Sequence, residues 1–197
     1  VIDADDYIHV GSGGFKWPQV MDADSYVLRI QRGEFVWWRN QVFKTGREKN
    51  WRYIGILHEY ADCDVKEGRR TIKVEGDYHI VARTEGSERN EGITPQEKYA
   101  KDAEILLKAL EEEPGNQRYE FYLGQSYFDS QQWDKAYLAY ADRVKSGGWE
   151  EEQWYSAYRM AILTTIMKKP WTEQAQHYLQ AYNMRPSRAE PLWQLAR

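Results

Sequence analysis

The sequence predicts an α+β chain in two parts, and three observations carry that expectation. Short β-type segments broken by Gly and polar turns fill residues 1–92. From Thr94 onward the apolar residues recur at helical spacing. The interruptions of that helical pattern fall at helix-hairpin intervals, which makes residues 93–197 an all-α array.

In the first part, Ser25–Gln31 alternates well enough for a strand, and Glu34–Arg39 is aromatic and β-prone. Arg32-Gly33 makes a tight connection between them. Arg52–His58 is a third strand. Thr71–Val74 and Tyr78–Ala82 are two more, separated by Glu75-Gly76-Asp77. Phe15–Met21 reads as a short helix and Gly11-Ser12-Gly13-Gly14 as a flexible loop. The polar, Gly-punctuated stretch 83–92 serves as a linker.

In the second part, Thr94-Pro95-Gln96-Glu97 is a capping box with Pro at the first helical position. Breaks follow at Glu113-Pro114-Gly115, Ser130-Gln131, Ser146-Gly147-Gly148, Lys169-Pro170 and Arg185-Pro186. Pro114 and Gly148 are 34 residues apart, as are Leu106 and Tyr140. A 34-residue period of paired helices is the tetratricopeptide signature. The best repeat runs from Gln117 to Gly148. Small Gly124 and Ala136 let its two helices approach, while Tyr127 and Tyr140 fill the groove between them. The next repeat, Trp149–Pro186, carries about four extra residues, expected around Lys168–Trp171.

Composition removes several classes of function. The 197 residues hold 27 Lys and Arg against 31 Asp and Glu, a formal charge of -4. A slight acidic excess argues against nucleic acid as the partner, since phosphate binding needs a clustered basic face. The longest uncharged, mostly apolar run is Met160–Met167. A membrane span needs about 20 such residues, so none is expected. Cys63 is the single cysteine, which excludes an internal disulfide and a Cys-based zinc site. Nothing in the opening residues reads as a secretory or transit segment, and the expected compartment is the cytoplasm. Val1-Ile2 runs at once into Asp3-Ala4-Asp5-Asp6 and looks like the end of a longer strand. The sequence is therefore expected to be truncated at its N-terminus, and to stop within a helix begun near Ser187.

Asp3-Ala4-Asp5 is the sharpest chemical signal. Residues i and i+2 leaving a strand project to the same side. Two carboxylates there can hold a hard divalent cation and offset the charge of a diphosphate. Asp22-Ala23-Asp24 repeats the pattern but precedes a strand, as turn residues would. An EF-hand fails because the sixth loop position is Ile8, where that loop requires Gly. His58-Glu59 ends an apolar strand, so the pair emerges at a sheet edge. Such a histidine can complete a metal site with carboxylates or act as acid or base; alternatively it hydrogen-bonds a neighbouring loop. The position four after His58 is Asp62, so no His-Glu-x-x-His zinc site is implied. Trp37, Trp38 and Trp51 crowd a small β region; aromatic faces stack on sugars, but most of nine Trp belong to packing. His9, His79 and His177 have no partner at informative spacing and are expected to be structural or on the surface. The glycine-rich stretch lacks the Lys-Ser/Thr of a P-loop, and no Gly-x-Ser-x-Gly elbow occurs.

Taken in order, several segments make a longer pattern: Val1-Ile2-Asp3-Ala4-Asp5-Asp6, then Asp24-Ser25-Tyr26, Trp38–Phe43 and Tyr53-Ile54-Gly55-Ile56-Leu57-His58-Glu59-Tyr60. Lys98–Ala103, Arg118–Tyr127, Gly147–Glu151 and Arg188–Leu192 continue it. This order resembles the tetratricopeptide-containing members of the family 2 glycosyltransferases, which have a GT-A fold. The resemblance covers nearly the whole chain. It implies the C-terminal part of a GT-A type α/β glycosyltransferase domain followed by a tetratricopeptide helical-hairpin array.

It also implies that Asp3 and Asp5 grip the diphosphate of a nucleotide-sugar donor through Mn²⁺ or Mg²⁺. Asp6 takes the acidic position after that motif. His58 becomes a third metal ligand or a diphosphate contact, and Glu59 faces the acceptor. Asp6, His58 and Glu59 are thus the implied catalytic residues, with inversion at the sugar and a glycan or protein acceptor recruited by the helical repeats. The family's nucleotide-binding βαβ portion precedes the Asp-x-Asp strand and is missing from this sequence, so the 197 residues alone are expected to be inactive. The competing class is a non-catalytic tetratricopeptide scaffold that binds a peptide or protein. It accounts for residues 94–197 and leaves Asp3-Ala4-Asp5 and His58-Glu59 unexplained.

Overall fold

The structure is a computed structural model that describes residues 2–3, 6–46, 50–64, 67–82 and 92–197. The chain is α+β and divides into two compact units, residues 1–91 and 92–197. The expected linker at 83–92 lies, apart from Gly92, outside the described residues. The first unit holds β1 (Tyr7–Lys16), β2 (Ser25–Arg32), β3 (Phe35–Phe43), β4 (Trp51–Ile54), β5 (Tyr60–Cys63), β6 (Thr71–Lys73) and β7 (Glu75–Val81). The second holds α1 (Pro95–Glu112), α2 (Gln117–Asp129), α3 (Trp133–Lys145), α4 (Glu150–Ile166), α5 (Trp171–Met184) and α6 (Glu190–Leu195).

β2 is the centre of a mixed sheet of order β1-β7-β2-β3. It pairs antiparallel with β3 on one edge, and parallel with β6 and then β7 on the other. β7 in turn pairs antiparallel with β1. Alternate residues of β2 (Tyr26, Leu28 and Ile30) are buried, together with Val74, Tyr78 and Ile80. That burial on every second residue is the physical basis of the alternation in Ser25–Gln31. β4 and β5 form a separate antiparallel hairpin.

Three local expectations are corrected. Phe15–Met21 is not a helix: Phe15 and Lys16 close β1, and the following residues are irregular. Pro18 biases Trp17 toward extended backbone. Phe15 stacks on Tyr78 at 4.0 Å and packs against the sheet core, while the exposed Trp17 stacks on Phe15 at 5.3 Å. The glycine-rich stretch is not a loop but the bulged middle of β1, where the register shifts between Val10 and Gly14. A Cβ on Gly13 would lie 2.9 Å from the Cβ of Asp77, so the absence of a side chain is what lets the two strands close. Glu75-Gly76-Asp77 belongs to β7 rather than separating two strands.

Strand pairing also sets His9 opposite His79, with ring centroids 4.9 Å apart and planes tilted by 37°. These two histidines are partners, contrary to the reading of their spacing. His177 is engaged as well, its Nε2 3.1 Å from the Tyr137 hydroxyl.

In the second unit the capping box forms as its sequence dictates. The Thr94 N–H donates to Glu97 Oε2 at 2.8 Å and the Glu97 N–H donates to Thr94 Oγ1 at 3.2 Å. The remaining helices start and stop at the expected breaks, and each packs on the next in sequence. Ala136 and Tyr140 are fully buried, and a Cβ on Gly124 would come within 2.7 Å of the Tyr140 ring. The extra residues of the second hairpin are not a longer loop. They lengthen its first helix by about a turn, α4 having 17 residues and α2 having 13.

Between α3 and α4 lies a buried ion pair. Arg143 Nε and Nη2 donate to Glu152 Oε2 at 3.3 and 3.1 Å, and Nη1 donates to the Gly147 carbonyl at 2.6 Å. Arg143 has no exposed surface, so the charge is matched where water cannot reach it. Around the same turn, Gln117 Nε2 donates to the Ser146 carbonyl at 2.7 Å and Ser146 Oγ donates to Glu120 Oε2 at 2.5 Å.

Two outcomes are expected. Glu152→Ala strands the guanidinium and should lower stability by about 3–5 kcal/mol, whereas Arg143→Met with Glu152→Leu should recover most of it; urea denaturation of the three chains checks this. Burial, with the charges of His9 and Arg29, lowers the His79 pKa, while Asp77 pulls the other way. The folded state therefore binds fewer protons than the unfolded one. Its stabilisation is complete above pH about 6.5 and is lost as pH falls through the lowered value. NMR-detected urea titrations should show the β-rich unit weakening on acidification, and His79→Phe should flatten that slope.

Candidate functional site

The β4–β5 hairpin positions the His58-Glu59 pair. Trp51 lies opposite Cys63 and Ile54 opposite Tyr60. The strand expected to reach His58 ends at Ile54, because the next residues form the turn. Gly55 has φ 105°, and His58 has φ 53°. A left-handed backbone costs a non-glycine residue roughly 1–2 kcal/mol and is found disproportionately at functional sites. His58 is thus exposed on a hairpin reversal and not at a strand end, with Glu59 exposed beside it.

A cleft of about 330 Å³ opens beside this hairpin, bordered by β3. Arg39 and Asn40 come from β3, Tyr53 and Tyr60 from the hairpin, and Glu59 from its turn. Arg39 stands opposite Leu28 and Asn40 opposite Val27, so in a regular strand their side chains would leave opposite faces. The register shifts next to them, because Tyr26 pairs with Val42 and Val27 with Asn40, leaving Gln41 as an extra residue. A bulge bends and twists its strand. That local bend accounts for consecutive residues bordering one cleft.

The charges around the cleft are unequally engaged. Arg69 Nη1 donates to Asp62 Oδ1 at 2.6 Å, and this hydrogen bond raises the Arg69 pKa. The Arg69 guanidinium also stands 5.8 Å from the Trp51 ring centroid. Arg39 is half-buried, and neither it nor Glu59 has a charged or hydrogen-bonding partner among the described residues. Asn40 Oδ1 is buried and likewise lacks a partner among them. An unpaired polar group shielded from water costs free energy that a bound ligand can restore.

The acidic segment is described only in part. Asp3 is exposed, Asp6 is half-buried and directly precedes β1, and the Asp6 N–H donates to the Asp3 carbonyl at 3.1 Å. Asp5 lies outside the described residues. Among the described residues no group of three or more His, Cys, Asp and Glu side chains could hold a metal ion. The structure brings Glu59 to the cleft; it does not place Asp3 or Asp6 on the cleft lining. The second Asp-x-Asp has a structural task. Asp24 is buried and its Oδ2 accepts from the Arg70 N–H at 2.9 Å, while Asp22 pairs with the Arg70 guanidinium at 2.6 Å. Both tie the start of β2 to the start of β6.

Reasoning from sequence missed Arg39, Asn40, Asp62 and Arg69. One signal was present: three consecutive polar residues, Arg39-Asn40-Gln41, interrupt an aromatic strand, which breaks the period of two and marks a bulge. No helix among the described residues is long and apolar enough to cross a membrane. No protein-family model matches the chain, and no curated protein matches it.

Proposed function

We propose that this chain carries the metal-binding and acceptor-facing segments of a GT-A type, family 2-like sugar transferase, followed by tetratricopeptide hairpins. The observation that carries the reading is the polar cleft on the β4–β5 hairpin, with the uncommitted Glu59 carboxylate on its border and His58 adjacent. Asp3 and Asp5 would hold Mn²⁺ or Mg²⁺ with His58 as a third ligand; carboxylate oxygens with one imidazole suit such ions. When bound, such an ion would neutralise charge on a departing nucleoside diphosphate. Asp6, next to that motif, helps orient it. Glu59 accepts the proton of the acceptor hydroxyl as that oxygen attacks the anomeric carbon, and inversion follows from attack on the face opposite the leaving group. The period and packing of α2–α5 support the tetratricopeptide assignment, through Gly124 against Tyr140 above all.

The helical unit supports a second reading, a peptide-binding scaffold. Phe121 and Tyr155 meet edge to face at 5.9 Å across α2 and α4, and the Arg159 guanidinium stands 3.4 Å from the Phe128 ring centroid. Half-buried aromatics interleaved with arginine suit a peptide partner.

Hydrogen exchange separates the two. Mn²⁺ with UDP or GDP should protect residues 2–9 and 55–60, and Asp5→Ala should remove that protection; no change in either segment would leave the scaffold reading. In a sugar-transfer assay with the segment joined to a nucleotide-binding domain, Glu59→Gln should slow turnover by about 10²–10⁴-fold while leaving the Mn²⁺-dependent protection intact.

A further inference from the structure

The cleft beside the β4–β5 hairpin has a chemical bias that the transferase reading does not specify. Four charged side chains border it: Arg39, Arg69, Glu59 and Asp62. Arg69 and Asp62 satisfy one another at 2.6 Å, which leaves one cation and one carboxylate uncommitted. The cation, Arg39, is half-buried on a bulged strand and borders the cleft without a charged or hydrogen-bonding partner among the described residues. Next to it, the buried Asn40 Oδ1 is an acceptor with no donor among the described residues. A ligand that completes both must present an anion to Arg39 and a hydroxyl or amine hydrogen to Asn40.

We propose that this cleft binds a sugar carrying a single carboxylate, a hexuronate, with the carboxylate on Arg39 and ring hydroxyls on Asn40 and Glu59. The planar guanidinium fork matches the two oxygens of a carboxylate. Size agrees: about 330 Å³ is at the small end of ligand sites, room for one or two sugar rings and too little for a folded peptide segment. Tyr53 and Tyr60 border the same cleft at 48% and 42% exposure, leaving aromatic surface for the apolar side of a ring. Charge selects the carboxylate over a phosphate monoester. With Asp62 neutralised by Arg69 and Glu59 offset by Arg39, a monoanion adds one negative charge to a balanced cleft, whereas a dianion adds two beside Glu59. The assignment rests on the reading of Glu59 as acceptor-facing, and it narrows the acceptor to an acidic glycan.

The test uses the 197-residue chain and four probes: sodium glucuronate, glucuronamide, glucose and glucose 6-phosphate, titrated by ¹H–¹⁵N NMR. Glucuronate should shift Arg39, Asn40, Tyr53 and Tyr60, and should bind about 10- to 100-fold more tightly than glucuronamide, its neutral isostere, as expected for a charge-assisted pair. Arg39→Gln should bring glucuronate down to the affinity of glucuronamide, and Arg39→Lys should restore only part of the difference. The isostere comparison on the unaltered chain stands even if Arg39→Gln fails to fold. Equal affinity for glucuronate and glucuronamide, shifts confined to other residues, or tighter binding of glucose 6-phosphate would each overturn the assignment. None of these readouts involves metal, donor or turnover. Loss of the transferase reading through absent Mn²⁺-dependent protection is therefore distinguishable from loss of this one.

Discussion

Strand β2 is hydrogen-bonded along both edges, and the mixed sheet takes its register from it. A slip of one residue would send Tyr26, Leu28 and Ile30 to the opposite face and bring Val27, Arg29 and Gln31 into the core. Three neighbours oppose such a slip, because β3, β6 and β7 each pair with β2 over a defined set of residues. Asp24, just ahead of the strand, anchors its start through the backbone of Arg70. The bulge of β3 follows from this arrangement. β2 holds a fixed register, so the one extra residue, Gln41, must be absorbed by bending β3, and the bend lies beside the cleft.

The helical unit solves a different problem, since a hairpin of two helices cannot bury its own apolar face and must stack on a neighbour. The Arg143–Glu152 pair is the polar contribution to that stacking. It joins the second helix of one hairpin to the first helix of the next, and its third contact, to the Gly147 carbonyl, fixes the turn between them. Apolar side chains of similar volume would hold the helices at least as strongly. A charge pair instead accepts one alignment of α3 on α4. Glu151, at the start of α4, makes ion pairs with Arg185 and Arg188 in the connection between α5 and α6.

The cleft differs from both of these networks in being incomplete. Arg69 and Asp62 are satisfied by each other, and Asp22, Asp24 and Arg70 likewise close on themselves. Arg39, Glu59 and the Asn40 carbonyl have no such partners among the described residues, and they surround one space next to a histidine held in a left-handed turn. Open polar groups of both charges that border one cleft are what a binding site requires. The acceptor-facing role proposed for Glu59 and the carboxylate preference proposed for Arg39 are two consequences of that openness.

Periodicity and punctuation determined much of the architecture. The break at Thr94, the capping box, the five helix interruptions and the alternation of Ser25–Gln31 are local signals, each set by a residue and its near neighbours, and each is legible without tertiary contacts. That small Gly124 and Ala136 let two helices approach, with Tyr140 in the groove between them, was legible from the spacing; that the Tyr140 ring closes directly on Gly124 was not. The acidic pattern Asp3-Ala4-Asp5 and the His58-Glu59 pair could be picked out as chemistry, but their spacing says nothing about which cleft they border. Only the tertiary structure decided that the glycines of β1 are a bulged strand, that Phe15 packs against a sheet core, and that His9 faces His79. It alone showed that Arg39 and Asn40 border the space next to Glu59. These outcomes depend on register between strands far apart in sequence, and register is an agreement between two segments that neither one carries by itself.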